Sequence, residues 1–147
     1  MDLKYLSHFP IVMQKAFCEY GIWFPEGSEC CYDPVLAFRI IKRNNGQDLT
    51  VTREDFRSMA EEGRKPKRGQ HPEKNPKYYG VSLFKDEDEA KYKFGLPQYP
   101  KKLAKGYVVK TCGPLLNNGE NGSSHVTWWL YKDADISEGK FEVIEDE

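Results

Sequence analysis

The chain reads as an α+β domain with a four- or five-stranded, mostly antiparallel sheet and two or three helices packed on it. Three observations predict this. Short runs rich in branched and aromatic residues alternate with helical patterns. Several of those runs fall toward the C-terminus without long crossovers. Aromatic residues make up 14% of 147 positions, enough for a packed core. The length suits a single globular domain over 1–147. Charged residues form 31% of the chain and leave a net charge of −1, so no global field draws it to nucleic acid or membrane. No apolar run reaches the roughly 20 residues of a membrane span. The N-terminus lacks an apolar signal core, and we expect a cytoplasmic protein.

The elements follow in order. Pro10 and "IVMQKAFCEYG" predict a short helix that Gly21 ends. "IWFPEGSECCYDP" is a loop bearing Trp23 and Phe24. "VLAFRIIKR" predicts a strand closed by Asn44, Asn45 and Gly46. Thr52, with Asp55 three residues on, predicts a capped helix near 53–62 that stops at Gly63. Residues 64–77 carry six basic residues, one acid and three prolines, the composition of an exposed basic loop. "YYGVSLF" predicts a strand, and Asp86 with Glu89 a boxed helix over 86–94. "LPQYPKKLAKG" reads as a connector and "YVVKTC" as a third strand. Residues 114–124, "PLLNNGENGSS", read as a flexible loop. "HVTWWLY" and "KFEVIE" complete the strands.

Strand alternation assigns faces. In "HVTWWLY" Val126, Trp128 and Leu130 share an apolar face, and His125, Thr127, Trp129 and Tyr131 the other. In "VLAFRIIK" Leu36, Phe38 and Ile40 oppose Ala37 and Arg39; in "YYGVSLF" Val81 and Leu83 oppose Gly80 and Ser82. The helices are expected on the face of Leu36, Phe38, Ile40, Val81, Leu83, Val126, Trp128 and Leu130. If the three mixed faces lie on one side, Arg39, Ser82, His125, Thr127, Trp129 and Tyr131 line a ligand-binding cleft. Gly80 and Ala37 would leave room in it. A sheet face of ordinary packing carries the same residue types, and Arg39 then pairs with Glu54, Asp55 or Glu61.

Other chemistries find less support. Ser82 and His125 lack a GxSxG setting and an orienting acid, so no catalytic residue is assigned. His125-Val-Thr127 matches one HxT element, but His8 and His71 do not supply a second. The cysteines Cys18, Cys30, Cys31 and Cys112 match no zinc spacing, and neither a metal nor a cofactor is expected. Phosphate contact through the basic loop would show as salt-sensitive affinity; a solvated loop is the simpler reading, and no nucleic-acid-binding residue is assigned.

The order "FR…DFRS…GVSLF…SHVTWW" resembles a group of small uncharacterised bacterial proteins over residues 35–145, a likeness that implies no chemistry. A second likeness is to ADP-ribosyltransferase-like domains, which place an arginine or histidine on an early strand, a serine or tyrosine on a strand that runs into a helix, and a glutamate on a late strand. Arg39, Ser82 and Glu142 hold those places. The resemblance implies a nicotinamide dinucleotide cleft, although "GVSLF" is not a Ser-Thr-Ser motif and "KFEVIE" lacks Glu-x-Glu spacing. The expectation is therefore a module that binds a small molecule or a protein partner, with a transferase as the alternative and catalysis left open.

Overall fold

The computed structural model describes residues 2–42, 49–66, 68–69, 71–96, 100–117 and 122–146. The helices are α1 (Leu3–Leu6), α2 (Ile11–Tyr20) and α3 (Glu87–Phe94). The strands are β1 (Val35–Lys42), β2 (Val81–Phe84), β3 (Lys101–Val108), β4 (Leu115–Leu116), β5 (His125–Trp128) and β6 (Glu142–Asp146). They form one antiparallel sheet in the order β4-β5-β2-β1-β3-β6. The α+β class holds, with six strands where four or five were expected. No helix among the described residues is long and apolar enough to cross a membrane.

Local chemistry explains most boundaries. Gly21 closes α2 in the left-handed region (φ 63°), where a side chain would be strained. Asp86 caps α3 through the Asp88 N–H. Glu89 does not complete the expected capping box: its carboxylate takes the Ser123 and Ser124 hydroxyls and the Ser124 N–H, at 2.6, 2.7 and 2.7 Å. That holds α3 to the start of β5.

Four expectations are corrected. The helix near 53–62 is one 3₁₀ turn, Arg53–Phe56, although its Thr52/Asp55 capping box is present. Arginines take the carbonyls that a longer helix would use internally. Arg39 binds those of Asp55 and Arg57, Arg53 that of Phe56, and Arg57 that of Glu61. Residues 76–79 form a second 3₁₀ turn, started by Pro76 and capped by Asn75, so the strand begins only at Val81. The third strand starts upstream of "YVVKTC" and shares only Tyr107 and Val108 with it, because Lys101 to Val108 pair in continuous register with Lys42 to Val35. Leu115 and Leu116, expected in a flexible loop, pair with Trp128 and Thr127. The turn at Asn44–Asn45–Gly46, Pro97–Tyr99 of the connector and 118–121 of the loop lie outside the described residues.

Register decides which faces meet. Phe38 pairs with Phe84, Ser82 with Thr127, and Phe84 with His125. Directly opposed residues share a face, so Phe38, Phe84, Ser82, Thr127 and His125 lie on one side. Val81, Leu83, Val126 and Trp128 lie on the other, packed with Phe56, Val108, Leu115 and Leu130. The helices do not all cover the expected apolar face. α3 covers Phe38, Ile40, Phe84 and Leu103 through Ala90 and Phe94. α2 covers the far end of that same side through Met13 and Phe17, around Leu116 and Trp129. The opposite side is covered by the 53–56 turn and by Phe141. Leu36, expected under a helix, is exposed.

Candidate functional site

The six residues read as a possible cleft do not converge. Arg39 stands one position from Phe38, opposite Ala104, and so faces away from Ser82, Thr127 and His125. Its guanidinium binds backbone, donating to Asp55 O (3.2 Å) and Ser82 O (3.0 Å), and it lies 5.9 Å from the Phe56 ring centre. Thr127 is buried and Ser82 exposed. Trp129 is fully buried in a core cluster with Phe17 and Tyr79, which overturns its expected role as a wall of the cleft. The pleat parity is nevertheless right: Trp128 joins the core on one side of the sheet and Trp129 that on the other. Each indole N–H is used, Trp128 Nε1 donating to Gly113 O (3.3 Å) and Trp129 Nε1 to Pro76 O (2.9 Å). Both faces are simply covered at this end of the sheet.

The serine and histidine of a candidate nucleophile pair are offset along the ladder, Ser82 opposite Thr127 and His125 opposite Phe84. Such diagonal positions are about 7–8 Å apart, too far for proton transfer in that register. Glu142 lies on Ser82's side of the sheet, opposite Lys105, but three strands away, or about 14 Å. The arginine, serine and glutamate of the transferase reading do not assemble. The basic loop is tied down at Arg64 and Pro72, whose carbonyls accept the Tyr78 and Tyr79 hydroxyls. Burial raises the Tyr79 hydroxyl to about 12, keeping it neutral and donating.

Tyr131, one of the six, lines a cavity. Beyond Trp128 the chain leaves the sheet and turns past α1, pinned by three backbone bonds. Tyr131 N donates to Cys112 O (2.8 Å), Lys132 N to His8 O (2.8 Å) and Ala134 N to Tyr131 O (3.1 Å). From beneath, Arg53 Nε donates to Tyr131 O (3.3 Å). The result is an open cleft of about 600 Å³ lined by Tyr5, His8, Thr111, Tyr131, Asp133, Ala134, Asp135 and Glu138. A second cleft of about 410 Å³, which includes Tyr32, Asp33 and Lys110, shares Thr111 and Glu138 with it.

Tyr5, His8 and Tyr131 give the first cleft an aromatic side. The Tyr5 and Tyr131 rings meet edge to face at 6.1 Å and their hydroxyls lie 3.3 Å apart; His8 packs edge-on to Tyr131 at 6.2 Å. Burial, then hydrogen bonds to Cys30 and Tyr131, push ionisation of Tyr5 far upward, so it stays neutral. The floor is acidic. Asp135 accepts from the Ser137 hydroxyl (2.6 Å) and N–H (3.1 Å), which hold its carboxyl below the usual range. Glu138 accepts from the Thr111 hydroxyl. Among the described residues no lysine or arginine lines the cleft and no salt bridge reaches Asp133, Asp135 or Glu138. Among the described residues no group of three or more histidine, cysteine or acidic side chains is placed to hold a metal. Residues 5–8, 111 and 131–138 are remote in sequence, and only the Asp133-x-Asp135 spacing could have hinted at the site.

No protein family matches the chain, and no curated protein or solved structure is similar to it.

Proposed function

We propose that this chain is a non-catalytic binding module whose ligand presents an ammonium or guanidinium group to the Tyr5–Tyr131 cleft. One observation carries the reading: aromatic side chains and three carboxylates line one cleft, with no lysine or arginine among the described lining residues. A cation against an aromatic face gains about 0.5–2 kcal/mol, and an exposed ion pair about 0.2–1 kcal/mol. One cationic group making both contacts therefore gains about 0.7–3 kcal/mol, a dissociation constant of roughly 5 mM or weaker. Tight binding requires a ligand that adds further contacts, as a basic peptide segment would by also covering the second cleft.

Nuclear magnetic resonance titration tests this at millimolar probe. N-acetyl-arginine amide should shift resonances of Tyr5, His8, Tyr131 and Asp133, while the neutral citrulline counterpart should not. Asp133→Asn should weaken the response several-fold, and added salt should weaken it further. Equal response to the neutral probe, or shifts confined to the acidic first turn of α3, would overturn the proposal.

A further inference from the structure

Two of the four cysteines are neighbours in sequence, and their surroundings set them apart. Cys112 is buried, and Cys18 stands alone on α2. Cys30 and Cys31 are both exposed, in a bend fastened on either side. Before it, Glu29 and Leu115 exchange two backbone bonds of 2.8 and 2.9 Å. After it, the Tyr32 hydroxyl donates to Gly113 O at 2.6 Å. Cys30 Sγ lies 3.5 Å from the Tyr5 hydroxyl and Cys31 Sγ 3.9 Å from Lys110 Nζ. Among the described residues each sulfur makes one side-chain hydrogen bond, so both can turn from it while the anchored bend stays in place.

We propose that Cys30 and Cys31 form a dithiol site for a thiophilic ligand that bonds both sulfurs at once, the class of monosubstituted trivalent arsenicals. A disulfide between them fits less well. Adjacent Cα atoms lie about 3.8 Å apart, short of the roughly 4.4–6.8 Å that disulfides span. An atom inserted between the sulfurs lifts that constraint, because each sulfur then bonds to the inserted atom. With an arsenoxide, R–As=O, two S–H bonds and the As=O bond are replaced by two As–S bonds. The oxygen leaves with both protons as water, and no oxidation state changes. The second As–S bond closes within one molecule, so it forms at high effective concentration and resists competing monothiols. Among the described residues no third acidic, cysteine or histidine ligand joins the two sulfurs, which suits such an electrophile better than a tetrahedral metal.

The test titrates the full chain with phenylarsine oxide while counting free thiols and measuring intact mass. One equivalent should remove two of the four thiols as a single adduct. Dithiothreitol should release it, and an excess of a monothiol should not. Cys30→Ser and Cys31→Ser should each lower affinity about a hundredfold, with unchanged circular dichroism, and Cys18→Ser should leave it untouched. Binding that survives either vicinal variant, depends on Cys18, or yields to a monothiol would overturn the proposal.

Discussion

Replacing Trp129 with alanine separates a buried indole from a recognition surface. The side chain is fully buried among Phe17, Phe24 and Tyr79. A tryptophan buries about 150–250 Å², which at about 25 cal/mol per Å² is a loss of about 4–6 kcal/mol. Measured Phe/Trp→Ala substitutions in cores span about 3–5 kcal/mol, and the Pro76 carbonyl also loses its donor. A cost of about 4 kcal/mol is a large part of the roughly 5–15 kcal/mol typical of a domain. With a urea slope of about 1–3 kcal/mol/M it lowers the unfolding midpoint by about 1–4 M. Trp129→Phe keeps most of the ring and gives up the hydrogen bond, so it should cost about 1–2 kcal/mol. Urea unfolding followed by far-ultraviolet circular dichroism reads both. A Trp129→Ala cost below about 0.5 kcal/mol, the level of ordinary surface changes, would refute the burial and with it the two-sided covering of β5.

Three further outcomes follow from the structure. Gly113→Ala should cost about 3 kcal/mol or more, since φ is +149° and a Cβ would stand 1.9 Å from the Trp129 carbonyl oxygen, a backbone atom that cannot yield; wild-type thermal stability in this variant would contradict it. Arg39→Lys should lose about 1–3 kcal/mol, because a lysine cannot hold the Asp55, Ser82 and Arg57 carbonyls together. Limited proteolysis should then cut first within 50–63. Glu89 is held below the usual glutamate value by the Ser123 hydroxyl first, then by Ser124. A carboxylate lowered in the folded state adds stability above its unfolded pKa that is lost as pH falls through the folded one. Glu89→Gln should therefore lower the midpoint at pH 7 and reduce its decline below about pH 4.5; a variant that keeps the full decline would remove that carboxylate from the account.

Residues that act through near neighbours were legible. The Gly21 stop and the Asp86 cap are satisfied within a few positions of where they occur, so the helices they bound could be read from order alone. The 53–62 helix was not, because guanidinium groups, one of them from β1, capture the carbonyls that would have continued it. Leu115 and Leu116 look like the start of a loop, and a two-residue strand has too little pattern to show alternation.

Pleating by itself determined that Trp128 and Trp129 point to opposite sides of the sheet, because the backbone reverses Cβ direction at every residue. Tertiary structure alone decided that both sides are covered there, and that Arg39 looks away from Ser82. Alternation fixes sides within one strand, while pairing Phe38 with Phe84 sets how the sides of neighbouring strands match. The cleft is likewise a tertiary product. Tyr5 and Tyr131 are 126 positions apart, and no local rule carries information over that distance until packing brings α1 against the end of β5.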